Sequence, residues 1–121
     1  MEKWQTEISL KFKRVPWRFK VGFTYEWKAW LLAYDHFNVG PEEFSKLDID
    51  KQITGLAYGA ASWHRIKQGK KVFFTFADID QTLLHASKAE NLKLIKAMTY
   101  AQFPDWLKGK MPEGDKKKEG T

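Results

Sequence analysis

The chain of 121 residues contains no cysteine, which excludes disulfide bonds, thiolate chemistry and cysteine-based zinc sites together. Stability therefore has to come from packing, and a reducing compartment is the simplest setting. The N-terminal stretch also lacks a continuous apolar run, so we expect neither a signal peptide nor a membrane span. These absences predict a protein that stays in the cytoplasm.

Motifs of catalysis and of cofactor binding are missing as well. His36, His64 and His85 are isolated in the sequence, without the i, i+4 pairing of an HExxH zinc site. Neither a GxSxG elbow nor a GxxxxGK[ST] phosphate loop occurs. We therefore expect no enzyme, no metal and no cofactor, and a function exerted by binding another macromolecule.

Aromatic residues, in contrast, are abundant. Hydrophobic residues make up 43% of the chain, and six tryptophans and nine phenylalanines are a heavy load for the core of a small domain. We expect one α+β domain over residues 1–108, with some aromatic side chains left for an interface. Residues 109–121 are rich in glycine and charge, which predicts a flexible tail.

Two segments near the N-terminus have the period-2 pattern of strands. Trp4, Ile8 and Phe12 belong to an alternating apolar series, and a second series runs from Trp17 to Phe23 after a break at residues 13–16. The pattern predicts an antiparallel β-hairpin over about residues 3–23. The solvent-facing side of both strands, which includes Gly22, is expected to be basic.

The remainder reads as about four helices, over residues 25–38, 48–68, 76–86 and 88–103. Expected inward residues are Trp27, Trp30, Leu31, Tyr34 and Phe37, then Ile49, Ile53, Leu56, Ala60 and Trp63, then Phe76, Ile79, Leu83 and Leu84, and finally Leu92, Ile95, Met98 and Thr99.

Local signals mark several of the helix ends. Thr24 is a candidate N-cap for the first helix, whereas Thr75 with Asp78 and Ser87 with Glu90 form capping boxes for the last two. Small residues between positions 55 and 61 let another element approach the second helix closely, and Gly69 marks its end. Residues 72–76 are expected to be extended.

The formal net charge of +6 raises the possibility of an anionic partner. Lys11, Lys13, Arg18 and Lys20 crowd the hairpin, and an alternative interpretation is a small nucleic-acid-binding protein that places this basic face against phosphates. Such a protein would bind with strong salt dependence. Neighbouring acidic residues and the lack of a helix-turn-helix count against this alternative.

The order of elements resembles that of tail assembly chaperones from long-tailed bacteriophages and prophages. The similar stretches are "FTYEWKAWLLAYDHFNV", "DIDKQITGLAYGAASWH" and "FFTFADIDQTLLHA", which follow the basic hairpin and include residues 23–39, 49–64 and 75–86. The resemblance implies a non-enzymatic chaperone in the bacterial host cytoplasm. Such a protein keeps the tape measure protein soluble, brings tail tube protein to it, and is absent from the virion.

Trp17 and Trp106 are the candidate exposed aromatics for partner binding under this interpretation. The resemblance also implies that a longer, frameshifted form could exist, for which the lysines at 116–118 would be encoded by a slippery run. A homo-oligomer is possible, and a ring-forming structural or connector protein that stays in the virion is a further alternative.

Overall fold

The computed structural model describes residues 2–101. Two antiparallel strands come first, β1 (Gln5–Lys11) and β2 (Arg18–Thr24). The helices that follow in this part of the chain are α1 (Trp27–Phe37), α2 (Pro41–Ser45), α3 (Ile49–Lys67), α4 (Phe76–Leu84) and α5 (Lys88–Ala101). The predicted α+β class, a hairpin followed by a mainly helical region, is confirmed. Trp106, the tail at 109–121 and the predicted helix end at 103 lie outside the described residues.

The hairpin is antiparallel, as predicted, and most of its large apolar residues lie on one face. Ile8 lies opposite Val21 and Leu10 opposite Phe19, so the apolar residues of both strands share a face toward the core. The prediction that Gly22 faces solvent is wrong. It is buried because a side chain of α3 lies over the C-terminal half of β2.

That side chain is His64, which also accounts for the outcome at Thr24. A Cβ atom at Gly22 would lie 2.3 Å from His64 Nε2, so a larger residue at this position would have to displace the imidazole. Thr24 Oγ1 lies 2.8 Å from His64 Nδ1. The prediction that Thr24 caps α1 is therefore wrong, since Thr24 ends β2 and its hydroxyl is engaged by α3.

The N-cap of α1 is instead Glu26, whose side chain makes no capping hydrogen bond. Its carboxylate accepts hydrogen bonds from Trp63 Nε1 at 2.7 Å and from Lys67 Nζ at 2.9 Å. These bonds tie the start of α1 to the last turns of α3, and they hold the two helices side by side.

The α1–α3 contact is built from small residues, and it reverses part of the predicted core. Ala29 and Ala33 are completely buried, and a Cβ atom at Gly59 would lie 2.1 Å from the Ala29 carbonyl oxygen. Because the backbones approach this closely, no large side chain fits between them. Trp27 and Leu31, predicted to face the core, are consequently 68% and 44% exposed. The expected close approach to α3 is confirmed.

Other predicted core positions have mixed outcomes. Leu56, Ala60, Ile79, Leu83 and Met98 are buried, and Trp30, Tyr34, Phe37, Ile53, Trp63 and Phe76 are partly buried. Ile49, Leu84, Leu92, Ile95 and Thr99 are exposed, so these predictions are wrong.

In α5 the buried face differs from the predicted one because of the way in which the helix packs against β1. The helix packs against β1, and its buried stripe is Leu94, Ala97 and Met98. These residues have i, i+3, i+4 spacing, and the alternative stripe of Leu92, Ile95 and Thr99 has the equally helical spacing i, i+3, i+7. Periodicity alone therefore could not decide which stripe would be buried.

Both predicted capping boxes are confirmed. The Asp78 amide donates to Thr75 Oγ1 at 3.1 Å and Asp78 Oδ2 accepts from the Thr75 amide at 2.9 Å. Ser87 and Glu90 make the equivalent pair at the start of α5. Between helices, Gly69 ends α3 with φ +74°, and the following chain to residue 75 has no helix or strand, as predicted.

Asp78 also accepts hydrogen bonds from both Nε and Nη2 of Arg14, which join the hairpin turn to α4. These bonds hold the pKa of Asp78 below its ordinary value of 3.8. A carboxyl whose pKa is lowered by folding stabilises the folded state above its unfolded pKa, and this stabilisation is lost as the pH falls through the folded pKa.

We expect Arg14→Gln to raise the pKa of Asp78 and to move acid unfolding to a higher pH. The measurement is circular dichroism between pH 5 and about 2, the range over which a paired aspartate loses its charge. Superimposable acid-unfolding curves for the variant and the original protein would contradict this expectation.

Candidate functional site

A chain of aromatic rings leads from the core to the surface at the turn end of the hairpin. The Phe12 ring is completely buried and lies 5.3 Å from the Phe19 ring. The Phe19 ring contacts those of Phe73 at 5.0 Å and Trp17 at 6.0 Å. Trp17 is 56% exposed, as the sequence predicts, and Phe73 is also exposed. The role of Trp17 in partner binding stays a prediction.

A basic groove lies beside this aromatic surface, between β2 and the C-terminal end of α3. Its lining includes Lys20, Arg65 and Lys70, together with the acidic Glu7, around a cavity of about 180 Å³. The Arg65 guanidinium lies 4.7 Å from the Phe73 ring centre. Cations and an exposed ring thus share one surface, an arrangement that suits an anionic ligand.

The electrostatics of this basic groove act on His64, which lines it. Burial lowers the pKa of His64 below its ordinary value of 6.5, and the positive charges of Lys70, Arg65 and Lys67 lower it further, against the opposing effect of Glu7. Both effects favour the neutral form of the imidazole.

The other three basic residues of the predicted hairpin face are engaged elsewhere. Arg18 donates hydrogen bonds to Ser9 Oγ and to the Ser9 carbonyl oxygen, and Lys11 Nζ donates to the Val15 carbonyl oxygen. Lys11 and Lys13 line a separate groove with two residues of α4, Gln81 and Thr82, and with its C-cap His85. The structure therefore brings Lys20 together with Arg65 and Lys70, and it does not gather the four hairpin cations at one cavity.

A second groove, here called the apolar groove, lies between α1, the last turns of α3 and the chain that follows Gly69. Its cavity measures about 310 Å³. The lining residues are Leu32, Asp35 and His36 of α1, Tyr58, Ser62 and Ile66 of α3, and Val72. Sequence reasoning missed this site because its lining comes from three segments whose contact depends on the α1–α3 packing.

Exposed apolar side chains form a row that leads to the apolar groove. Trp27 and Leu31 lie four residues apart on α1, and Asp35 at the groove follows Leu31 by four more, so the three share one face of the helix. At the start of this row, Lys28 Nζ lies 5.3 Å from the Trp27 ring centre. The row spans about 12 Å along the helix axis, which is slightly more than two turns.

The remaining histidines have structural contacts. The His36 ring stacks on Phe76 with centroids 4.2 Å apart, and His85 is the C-cap of α4. Over residues 2–101, no group of three or more histidine, aspartate or glutamate side chains could hold a metal ion. No helix in the same range is long and apolar enough to cross a membrane.

Comparison with protein-family models, with curated proteins and with solved structures finds no match to this chain. Its function therefore has to be inferred from its own residues and surfaces.

Proposed function

We propose that this chain is a non-enzymatic tail assembly chaperone that binds the tape measure protein and helps to recruit tail tube subunits. The observation that carries the proposal is the outward apolar row of α1, in which Trp27 is 68% and Leu31 44% exposed. The resemblance of residues 23–39, 49–64 and 75–86 to that family supports the same conclusion.

The physical argument concerns what such a row can bind. A long helical protein with apolar stripes needs those stripes covered until it assembles, and a neighbouring helix face with a tryptophan is a suitable cover. Tryptophan is enriched among the residues that dominate binding energy, because a single ring buries a large apolar area. Trp27 is therefore expected to be the main anchor of the interface.

The test is co-expression with the longest protein encoded just downstream of this chain's gene. We expect the chain to keep that protein soluble and to be captured with it, and Trp27→Glu to weaken capture by about tenfold or more, as for an interface anchor. Leu84→Glu is the matched control, since Leu84 is an even more exposed apolar residue on another helix. An insoluble partner, or equal capture by both variants, would contradict the proposal.

A second candidate function is nucleic-acid binding, and the basic groove is the observation that favours it. Lys20, Arg65 and Lys70 could contact phosphates while the exposed rings of Phe73 and Trp17 stack on bases. This function predicts that binding weakens steeply as salt increases, whereas an interface anchored by Trp27 is expected to resist salt.

A further inference from the structure

The apolar groove is large enough to receive a side chain from another molecule. Its cavity of about 310 Å³ exceeds the roughly 150 Å³ apolar cavity that holds benzene in an engineered protein. Leu32, Ile66 and Val72 supply apolar lining, and Ile66, on α3, is 44% exposed. An apolar side chain placed there would remove this surface from water.

One polar group of the lining has no hydrogen-bond partner among the described residues. The side chain of Ser62 is buried, and its hydroxyl makes no hydrogen bond within the described residues. Buried hydroxyls are normally paired, because an unpaired one destabilises the folded state. Ser62 lines the apolar groove, but its oxygen is itself buried, so it adds no solvated polar group to the lining.

The charge at the edge of the groove restricts the occupant further. Asp35 is the acidic residue among the lining residues, and its side chain is exposed. None of the other lining residues carries a carboxylate. A cation on the occupant would therefore find a carboxylate close to the apolar cavity.

We propose that the apolar groove and the row through Leu31 and Trp27 together bind one amphipathic helix of the partner. That helix inserts an apolar side chain beside Ile66, places a lysine or arginine against Asp35, and covers Leu31 and Trp27 with its neighbouring turn. Because the row runs along α1 and ends at the groove, the bound helix is expected to lie along the α1 axis. The identification of the partner as the tape measure protein rests on the proposed function, whereas the chemistry of the groove does not.

The experiment compares Ile66→Glu with Leu92→Glu, because both original side chains are 44% exposed and lie on helix surfaces. Affinity is measured for the downstream-encoded protein and for a synthetic amphipathic helix of leucine and lysine. Ile66→Glu is expected to weaken binding about tenfold or more, and Leu92→Glu less than twofold. Circular dichroism of each variant checks that the fold is kept.

Charge reversal at Asp35 tests the proposed ion pair between Asp35 and a cation of the bound helix. Asp35→Lys is expected to weaken binding of the leucine–lysine helix, and a leucine–glutamate version of that helix is expected to recover affinity for this variant. Two results would overturn the proposal that the apolar groove binds a helix. One is equal binding of the synthetic helix by Ile66→Glu and Leu92→Glu, and the other is no binding of that helix by the original protein. Failure to capture the downstream protein, with the synthetic helix still bound through Ile66, would overturn the proposed function alone.

Discussion

Gly59→Ala is expected to lower the free energy of unfolding by about 2 kcal/mol, although alanine is the better helix former. The added methyl group would lie 2.1 Å from the Ala29 carbonyl oxygen and 3.3 Å from the Ala33 nitrogen. Both are backbone atoms, so α1 as a whole would have to move. Overpacking of this kind costs about 3 kcal/mol, against a gain of about 1 kcal/mol in helix propensity.

Gly55→Ala is the matched control, because it makes the same change in the same helix. Its methyl group would meet the Phe37 ring, which is a partly buried side chain that can rotate. We expect its effect to be within about 1 kcal/mol of zero, since the propensity gain offsets the displacement. Urea unfolding of the two variants is the measurement, and equal stabilities would contradict the close α1–α3 contact.

Phe12→Ala is expected to lower the free energy of unfolding by about 4 kcal/mol, which is a large fraction of the stability of a small domain. The Phe12 side chain is completely buried against Phe19, Phe73 and Phe74. Its removal would leave a cavity where the hairpin meets the chain that precedes α4. Urea and thermal unfolding, both monitored by circular dichroism, measure the loss.

Phe73→Ala provides the comparison, because Phe73 stands at the exposed end of the same aromatic chain. Its truncation is expected to cost about 1 kcal/mol, since a partly solvated ring leaves no closed cavity. Phe12→Leu should recover part of the stability that Phe12→Ala loses. If Phe12→Ala proved no more destabilising than Phe73→Ala, the aromatic cluster would not be the centre of the core.

The elements that sequence reasoning predicted correctly are those with local signals. The hairpin follows from alternation through Ile8 and Leu10, and the start of α4 follows from the Thr75 and Asp78 pair. Each signal lies within a few residues of the structure that it specifies. The turn at Gly69 is local in the same sense.

The errors concern which face of a helix is buried, because that choice depends on a distant partner. Large apolar residues in α1 outnumber the alanines, yet Ala29 is buried and Trp27 is exposed. The reason is that Gly59 has no side chain, which allows the backbones of α1 and α3 to approach closely. The sequence pattern places Thr24 at a helix start, because nothing in the sequence indicates its contact with His64, forty residues away.

The candidate surfaces were predictable only in part. The exposure of Trp17 follows from its place after a turn, and the positive charge of Lys20 and Lys70 is plain in the sequence. The meeting of these two lysines at one cavity, and the apolar groove around Ser62, require the tertiary fold. Tertiary packing therefore decides where this protein can bind.

The central claim is that this chain binds a protein through apolar surface, and salt dependence tests it most directly. The chain is used to capture the downstream-encoded protein in the presence of competing DNA, at about 50 mM and 500 mM salt, a range over which phosphate contacts weaken by several orders of magnitude. We predict that the protein is captured equally at both concentrations. Capture of DNA alone, lost at the higher concentration, would contradict the claim and favour the basic groove as the functional site.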